Sequence, residues 1–484
     1  MNPLSACEPS AVFTVFGELC AIPHGSGNLE KISDYCISFA ETQSLSYARD
    51  ILGNVIIRKK GTPGYEQSPT IILQGHLDMV CAAEPGKQVD FLHEGIRPYV
   101  DGDWIRADGT SLGGDDGIAV AMILAILADP SLPHPPLEAV FTVNEETGMD
   151  GAVGLDPNLL TGRRMINLDS EDEGVFTVGC AGGVRADCTI PVKRVETDAV
   201  RCEIDVDGLY GGHSGTEIDK ERGNANQILG RLLHDFCNTE NVRLVSLQGG
   251  TVDNAIPCRA NAVLAVDSAS LARLESLTVA LDKKLKAEYA ISDPNVSLHF
   301  SARQVESLSA ANSEITRRIA GFLFSAPCGI QHRNPEMPTL VETSLNPGVA
   351  RMDGNGDHFV LTFSLRSSVS SRKEELADQL TCLAAAFGAE TSFHSSYPAW
   401  EYRHQSPLRE IVLDTYRRLY RKEPVVETIH AGLECGIFSE KLPGLDCVSF
   451  GPDIPDIHSP AERLSISSVS RTYRLVTEIL KNCR

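Results

Sequence analysis

Several short stretches of this sequence put acidic and histidine side chains where a chemical site would need them. The run Ile71-Ile72-Leu73 is apolar and β-branched, which predicts a buried strand, and His76 and Asp78 follow at its end. Side chains two apart in extended chain point to the same side, so an imidazole and a carboxylate project together there. An imidazole suits zinc, and a nearby carboxylate can hold its ring in one orientation. A second apolar run, Ala139 to Val143, leads into Glu145 and Glu146, and a third, from Arg164 to Leu168, ends in Asp169. Asp115, with Asp116 beside it, opens the apolar run that begins at Ile118. Carboxylates at a helix start are favoured by the dipole and stay ionised, as a metal ligand must. So many acids meeting without Lys or Arg between them would repel one another, and divalent cations would relieve that repulsion.

The elements that must position these residues read as a mixture of helices and strands. Helices are predicted near residues 9–22 and 29–42, and strands near 46–49 and 54–58 and in the run that ends at His76. This pattern, continuing to about residue 185, predicts an α/β domain whose strand ends carry the site. From about residue 190 the texture changes. Val200, Cys202, Ile204 and Val206 alternate as in a strand, and helices are predicted near 224–238 and 270–290. After residues 296–300 the order recurs, with helices near 310–324 and 372–387. The order of elements predicts a second, α+β domain of two similar halves inserted into the first. The expected division is 1–188 with 398–484 for the first domain, and 189–397 for the insert.

Composition narrows the partners. The chain has 484 residues, too many for one compact core. Its net charge of -22 repels phosphate backbones and anionic lipids, so neither nucleic acid nor a membrane surface is an expected partner. The fourteen cysteines form no C-x-x-C pair. With no signal-peptide pattern at Met1–Pro9, they predict reduced thiols and a cytoplasmic protein. The longest apolar run, from Ile118 to Ala128, falls short of the roughly 20 residues that span a bilayer.

Taken in order, the motifs Gln-Gly-His76-Leu-Asp78, Leu-Gly-Gly-Asp115-Asp-Gly, Asn-Glu145-Glu146-Thr-Gly-Met, Asn-Leu-Asp169-Ser-Glu and Asp-Ile-His458-Ser-Pro resemble those of the two-metal peptidases related to aminoacylase and glutamate carboxypeptidase. Gly-Gly-His213-Ser-Gly, Thr-Val-Asp-Asn254-Ala-Ile-Pro and His-Ala-Gly432-Leu-Glu-Cys-Gly extend the resemblance to the aminoacyl-histidine dipeptidases, carnosinase-like enzymes of bacteria. The resemblance spans nearly the whole chain. It implies a catalytic domain with a mixed central sheet flanked by helices, an inserted lid domain, and cleavage of unblocked Xaa-His and similar dipeptides.

By this resemblance His76 and Asp169 are ligands of one metal, Glu146 and His458 of the other, and Asp115 bridges both. The pair is expected to be zinc, with cobalt or manganese also compatible with such donors. Asp78 would orient His76, and Glu145 would be the general base. His213 would donate to the oxyanion, while Asn254, Arg366 and Gly432 would hold the substrate's carboxylate and backbone. Two positions depart from the family's pattern: Asp116 stands where Asn is usual, and Tyr210 where Lys is common. A tripeptide aminopeptidase, an N-acyl amino acid deacylase and a non-catalytic metal or peptide binder are the alternatives, and both a monomer and a homodimer stay open.

Overall fold

The computed structural model describes residues 3–335 and 340–484. Two compact units result: Met1–Gly179 with Tyr402–Thr428 and Leu433–Arg484, and Cys180–Glu401 with Ile429–Gly432.

The first unit is built on an eight-stranded sheet. Its four central strands, in spatial order Leu137–Thr142, Ile71–His76, Arg164–Asn167 and Asp446–Ser449, run parallel. Ser46–Arg49, Val55–Lys59 and Val175–Cys180 add antiparallel pairings at the flanks. Ile71 and Leu73 alternate onto one face, where they share a core with Phe13 and Phe16 of the helix Ser10–Cys20 and Val469 and Val476 of the helix Ile466–Asn482. Burial of such side chains stabilises by about 1.5–3 kcal/mol each. Gln74 and His76 point to the other face, where Gln74 donates to the Glu434 carboxylate that starts the helix Glu434–Lys441 (2.5 Å). The helix Gly114–Ala128 is buried along almost its whole length, as the unbroken apolar run from Ile118 demands. It packs closely on the central strand because Gly75 has no side chain: a Cβ there would lie 2.5 Å from the Asp116 carboxylate.

The second unit is a nine-stranded sheet with every pairing antiparallel. Arg194–Asp207, the helix Ala225–Thr239, Arg243–Gly249, Ala260–Val266, the helix Leu271–Glu288 and Ser297–Ala311 form one βαββαβ half. Its fourth strand lies beside its first, and its third between first and second. Gly182–Pro191, the helix Ser313–Ser325, Val341–Met352, His358–Ser367, the helix Ser370–Ala386 and Glu390–Tyr397 repeat that order. This is the ferredoxin-like arrangement used twice. The halves join through Leu247–Met352, Gln248–Arg351 and Gly249–Ala350. The recurrence read from the sequence is present, with one difference: the second half begins before the first. Its opening strand, Gly182–Pro191, precedes the whole of the first half.

That strand also corrects the expected boundary at 188/189, which falls inside it. Val184, Ala186, Cys188 and Ile190 alternate into the core of the second unit, so the strand cannot be divided. At the return, Trp400 pairs with Cys180 and the chain changes unit after Glu401 rather than after Tyr397. Ile429–Gly432, expected in the first domain, belongs to the second unit. None of the fourteen cysteines is in a disulfide, and among the described residues no helix is long and apolar enough to cross a membrane.

Candidate active site

Parallel strands release their chains at the same end of a sheet, and it is there that the first unit's acids collect. His76 is the last residue of its strand, Glu145 and Glu146 follow Leu137–Thr142, and Asp169 follows Arg164–Asn167. Asp115 comes from the start of the Gly114–Ala128 helix and His458 from the loop before Arg463–Ser465.

Asp115 stands between the two histidines. Its Oδ1 lies 3.2 Å from His76 Nε2, and its Oδ2 lies 3.1 Å from His458 Nε2. Asp169 is 3.6 Å from His76 Nε2, and Glu146 is 2.9 Å from His458 Nε2. Ligand atoms cluster within 4.8 Å in three groups: His76 with Asp116 and Asp169, His76 with Glu145 and Glu146, and Asp115 with Glu146 and His458. Glu146 thus belongs to two groups, whereas Glu145 belongs to one. Among the described residues, the ion pairs of Asp115, Asp169 and Glu146 are all with the two histidines.

The electrostatics follow from crowding. Burial would raise the Asp115 carboxyl, but hydrogen bonds from His458 and His76 outweigh it and hold it below the usual range. Contacts with Asp115 and Glu146 push His458 up to about 10. Burial works against protonation of His76, yet Asp169, Asp115 and Asp78 raise it well above an ordinary histidine. Burial pushes Glu145 well above the usual carboxylate range; His76 opposes that rise, and Asp169, Glu434 and Glu146 add to it.

Several groups fix this geometry. The His76 Nδ1 lies 3.0 Å from the Asp78 carbonyl and 3.5 Å from its carboxylate. With Nδ1 donating there, the neutral ring that a metal ligand must be would carry its lone pair on Nε2, the nitrogen that faces Asp115 and Asp169. The Asp78 carboxylate also accepts from the backbone N–H of Glu145 and Glu146, at 3.0 and 3.2 Å, and from Ser26 Oγ at 2.8 Å. Asp78 therefore sets both the imidazole and the loop of the two glutamates. The neighbour Asp116 is turned aside, accepting the His76 backbone N–H at 3.1 Å.

The acid pair was expected to open a helix. Asp115 is instead extended, with φ -82° and ψ 106°, and regular helix begins only after Asp116. Glu462 supplies the cause. Its buried carboxylate accepts from the amides of Leu112, Gly113, Gly114 and Asp115, at 2.7, 3.1, 2.8 and 3.3 Å. Those donors would otherwise be left open at a helix start. Since Glu462 lies four residues after His458, it ties the His458 loop to the turn that presents Asp115. His458 itself takes a left-handed backbone, φ 60°, a conformation kept only where the surroundings enforce it.

The second unit gathers the other expected residues at one end of its sheet. Gly212–His213 pairs with Ala255–Ile256, which sets Asn254 beside the His213 loop, its carbonyl accepting from Ser214 N at 2.8 Å. The Thr216 amide donates to His213 Nδ1 at 3.1 Å, so the neutral ring carries its proton on Nε2. Burial, with Arg366 adding to it, lowers the pKa of His213 and favours that neutral form. A Cβ on Gly215 would meet the His213 ring at 3.0 Å and Arg366 Nε at 3.2 Å. Gly432 arrives on the segment that carries His430, whose Nε2 lies 2.7 Å from Ser344 Oγ. Ser344 faces Arg366 across the sheet. Tyr210 lies exposed, beside Arg222.

Sequence reasoning missed Glu462, Glu434 and Arg185. For Arg185 a signal exists, since Gly183, Arg185 and Asp187 alternate with buried Val184, Ala186 and Cys188. For Glu462 and Glu434 nothing in the local pattern announces a carboxylate that accepts from other segments.

The sequence pattern of peptidase family M20/M25/M40 matches residues 72–482. The chain belongs to this family of peptidases. It is 38% identical, over 485 residues and 99% of each chain, to the cytosol non-specific dipeptidase of Escherichia coli (strain K12). The crystal structure of aminoacylhistidine dipeptidase from Vibrio alginolyticus matches with a TM-score of 0.92 and 34% identity, covering 99% of this chain and 98% of that one. Aminopeptidase PepT from Bacillus cereus, at 16% identity and a TM-score of 0.58 over 99% of both chains, shares the fold.

If Glu462 sets the Asp115 turn, Glu462→Ala frees four amides. Each bond to a charged acceptor contributes about 1.5–3 kcal/mol. The variant is expected to bind metal less tightly and to lose activity in proportion, and Glu462→Gln to be milder because its amide oxygen still accepts. Metal analysis and activity after titration with zinc check this.

Proposed function

We propose that the protein is a metal-dependent dipeptidase that hydrolyses unblocked dipeptides, Xaa-His among them, with broad specificity, in the cytosol. The observation that carries this reading is the sharing of Asp115: each of its oxygens addresses a different histidine, as a bridge between two cations requires. The donor set is imidazole nitrogen and carboxylate oxygen, which suits zinc first and cobalt or manganese next. His76 and Asp169 would hold one cation and Glu146 and His458 the other, with Asp115 serving both. Two relatives matched over nearly the whole chain are dipeptidases, which supports the substrate class.

Bound cations supply Lewis acidity, lowering the pKa of water and polarising the peptide carbonyl. The chain's own residues do the rest. Glu145 shares a group with His76 and Glu146 but lies outside the Asp115–Glu146–His458 group; in this reading it takes a proton from the attacking water and passes it to the leaving amine. Burial and neighbouring carboxylates raise its pKa, which makes it a stronger proton acceptor. His213, neutral and protonated on Nε2, donates to the oxyanion as the carbonyl is attacked. Arg366 takes the substrate carboxylate, with Asn254 and Gly432 holding the backbone. Asp78 keeps His76 and the glutamate loop in register.

The deciding assay is hydrolysis of a panel of Xaa-His, Xaa-Gly, acetylated dipeptides and tripeptides after stripping with chelator and adding back zinc, cobalt or manganese. Activity on free dipeptides that disappears with chelator and returns with metal is expected. Preference for acetylated substrates would overturn it in favour of a deacylase, and preference for tripeptides in favour of an aminopeptidase.

Glu145→Gln keeps size and removes the proton acceptor. Turnover should fall by at least the ~10²–10⁴ of general-base loss while the metal content of the purified protein stays unchanged; one missing ion would exchange the roles of Glu145 and Glu146. His213→Ala should lower kcat and kcat/KM together by roughly 10²–10³, the range for an oxyanion donor, at full metal occupancy. A raised KM with normal kcat would make His213 a substrate clamp instead.

A further inference from the structure

The open face of the second unit's sheet carries a second guanidinium beside Arg366. Arg366 faces Gly183 across the strand pair, and Arg185 lies two residues on, so both side chains leave the same face as diagonal neighbours. Tyr397 faces Gly183 from the other side. Because Gly183 has no side chain, the Tyr397 ring crosses above it, and its hydroxyl accepts from Arg366 Nη1 at 2.9 Å.

The charges here do not balance. Arg366 is only 4% exposed, and its Nε has no hydrogen-bond partner among the described residues. Arg185, with its side chain 15% exposed, donates from Nε to Asp253 Oδ2 at 2.5 Å. Its Nη1 is buried and without a partner among the described residues. Among the described residues, Asp253 is the carboxylate that answers these two guanidinium groups, directly at Arg185 and through space at Arg366, and both keep unused donors. A buried cation without an acceptor is costly. Two planar forks with spare N–H groups on one face match the two oxygens of a carboxylate.

We propose that Arg185 is a specificity-determining residue that, together with Arg366 and the Tyr397 hydroxyl, receives the C-terminal carboxylate of the substrate, with Asp253 holding its guanidinium in place. This rests on the dipeptidase reading above. It gives the chain a way to measure its substrate: a carboxylate held by two fixed forks defines where the peptide must end, and a peptide whose C-terminus is blocked leaves the spare donors of both forks open.

The test is the preference for a dipeptide over its C-terminal amide, measured in the zinc-loaded wild type, Arg185→Gln and Arg185→Lys. Arg185→Gln should raise KM for the free dipeptide roughly 10- to 100-fold, the range for hydrogen bonds to charged groups, with kcat nearly unchanged. KM for the amide should change little, so the preference collapses. Arg185→Lys keeps the charge and can still pair with Asp253, so it guards against a folding defect; it should recover part of the preference, because an ammonium lacks the fork. If the wild type cleaves dipeptides and both variants keep the same acid-over-amide preference, Arg185 is only the structural partner of Asp253 and the assignment falls. Equal losses on acid and amide overturn it in the same way. A wild type that cleaves no dipeptide overturns the activity itself, and this assignment with it.

Discussion

The first unit depends on one electrostatic constraint: acidic side chains brought to one place by parallel strands must be kept there despite their repulsion. Leu137–Thr142, Ile71–His76 and Arg164–Asn167 end at the same side of the sheet, so Glu145, Glu146, His76 and Asp169 converge although they lie far apart in the chain. Hydrogen bonds from backbone amides hold the loops that carry the charges. Asp78 takes the Glu145 and Glu146 amides, and Glu462 takes four in a row before Asp115. Below them, Asn167 donates to Gln74, and Gln74 and Thr142 donate to Glu434, in a wholly buried polar chain. Asn167 Oδ1 and Glu434 Oε1 find no partner among the described residues, and the remaining bonds tie three strands and a helix together beneath the site.

The second unit answers a different need. Its helices cover one face of a continuous antiparallel sheet, and that face is the core, with Val184, Ala186, Phe359, Phe363 and Leu365 on it. The other face carries a small apolar cluster of Ala199, Val245, Val263, Ala265, Leu308 and Ala310 in the first half, and in the second half it brings Arg185, Arg366 and Tyr397 together. Alternation along a strand thus separates packing from recognition, residue by residue.

Much of this was legible because it follows from short-range pattern. The run Ile71 to Leu73 followed by His76, and the runs before Glu145 and Asp169, mark strands and what their ends carry. The switch from a buried sheet to alternating strands marks the second unit. What the pattern could not carry is partnership at a distance. Glu462 reads as a surface acid after His458-Ser-Pro460, yet it is buried against a loop nearly 350 residues earlier. The boundary near 188 misleads for a related reason: the strand Gly182–Pro191 looks like the tail of the first domain, and only its partners, His358–Ser367 and Glu390–Tyr397, place it in the second. Asp115 was expected in a helix because acids favour helix starts, but the four amides claimed by Glu462 keep its backbone extended.

The nesting of one ferredoxin-like half inside the other bears on how the chain can be made. As the polypeptide emerges from the ribosome, Arg194–Ala311 is the earliest stretch that holds a complete set of strands and helices, so it can fold while synthesis continues. The half that surrounds it must wait for Glu390–Tyr397, leaving Gly182–Pro191 with only His358–Ser367 as a partner until then. The first unit waits longer still, since Asp446–Ser449 fills the gap in its sheet between Arg164–Asn167 and Val175–Cys180. The nascent protein therefore matures from its middle outward, and the acids of the first unit meet His458 only after the whole second unit has been made.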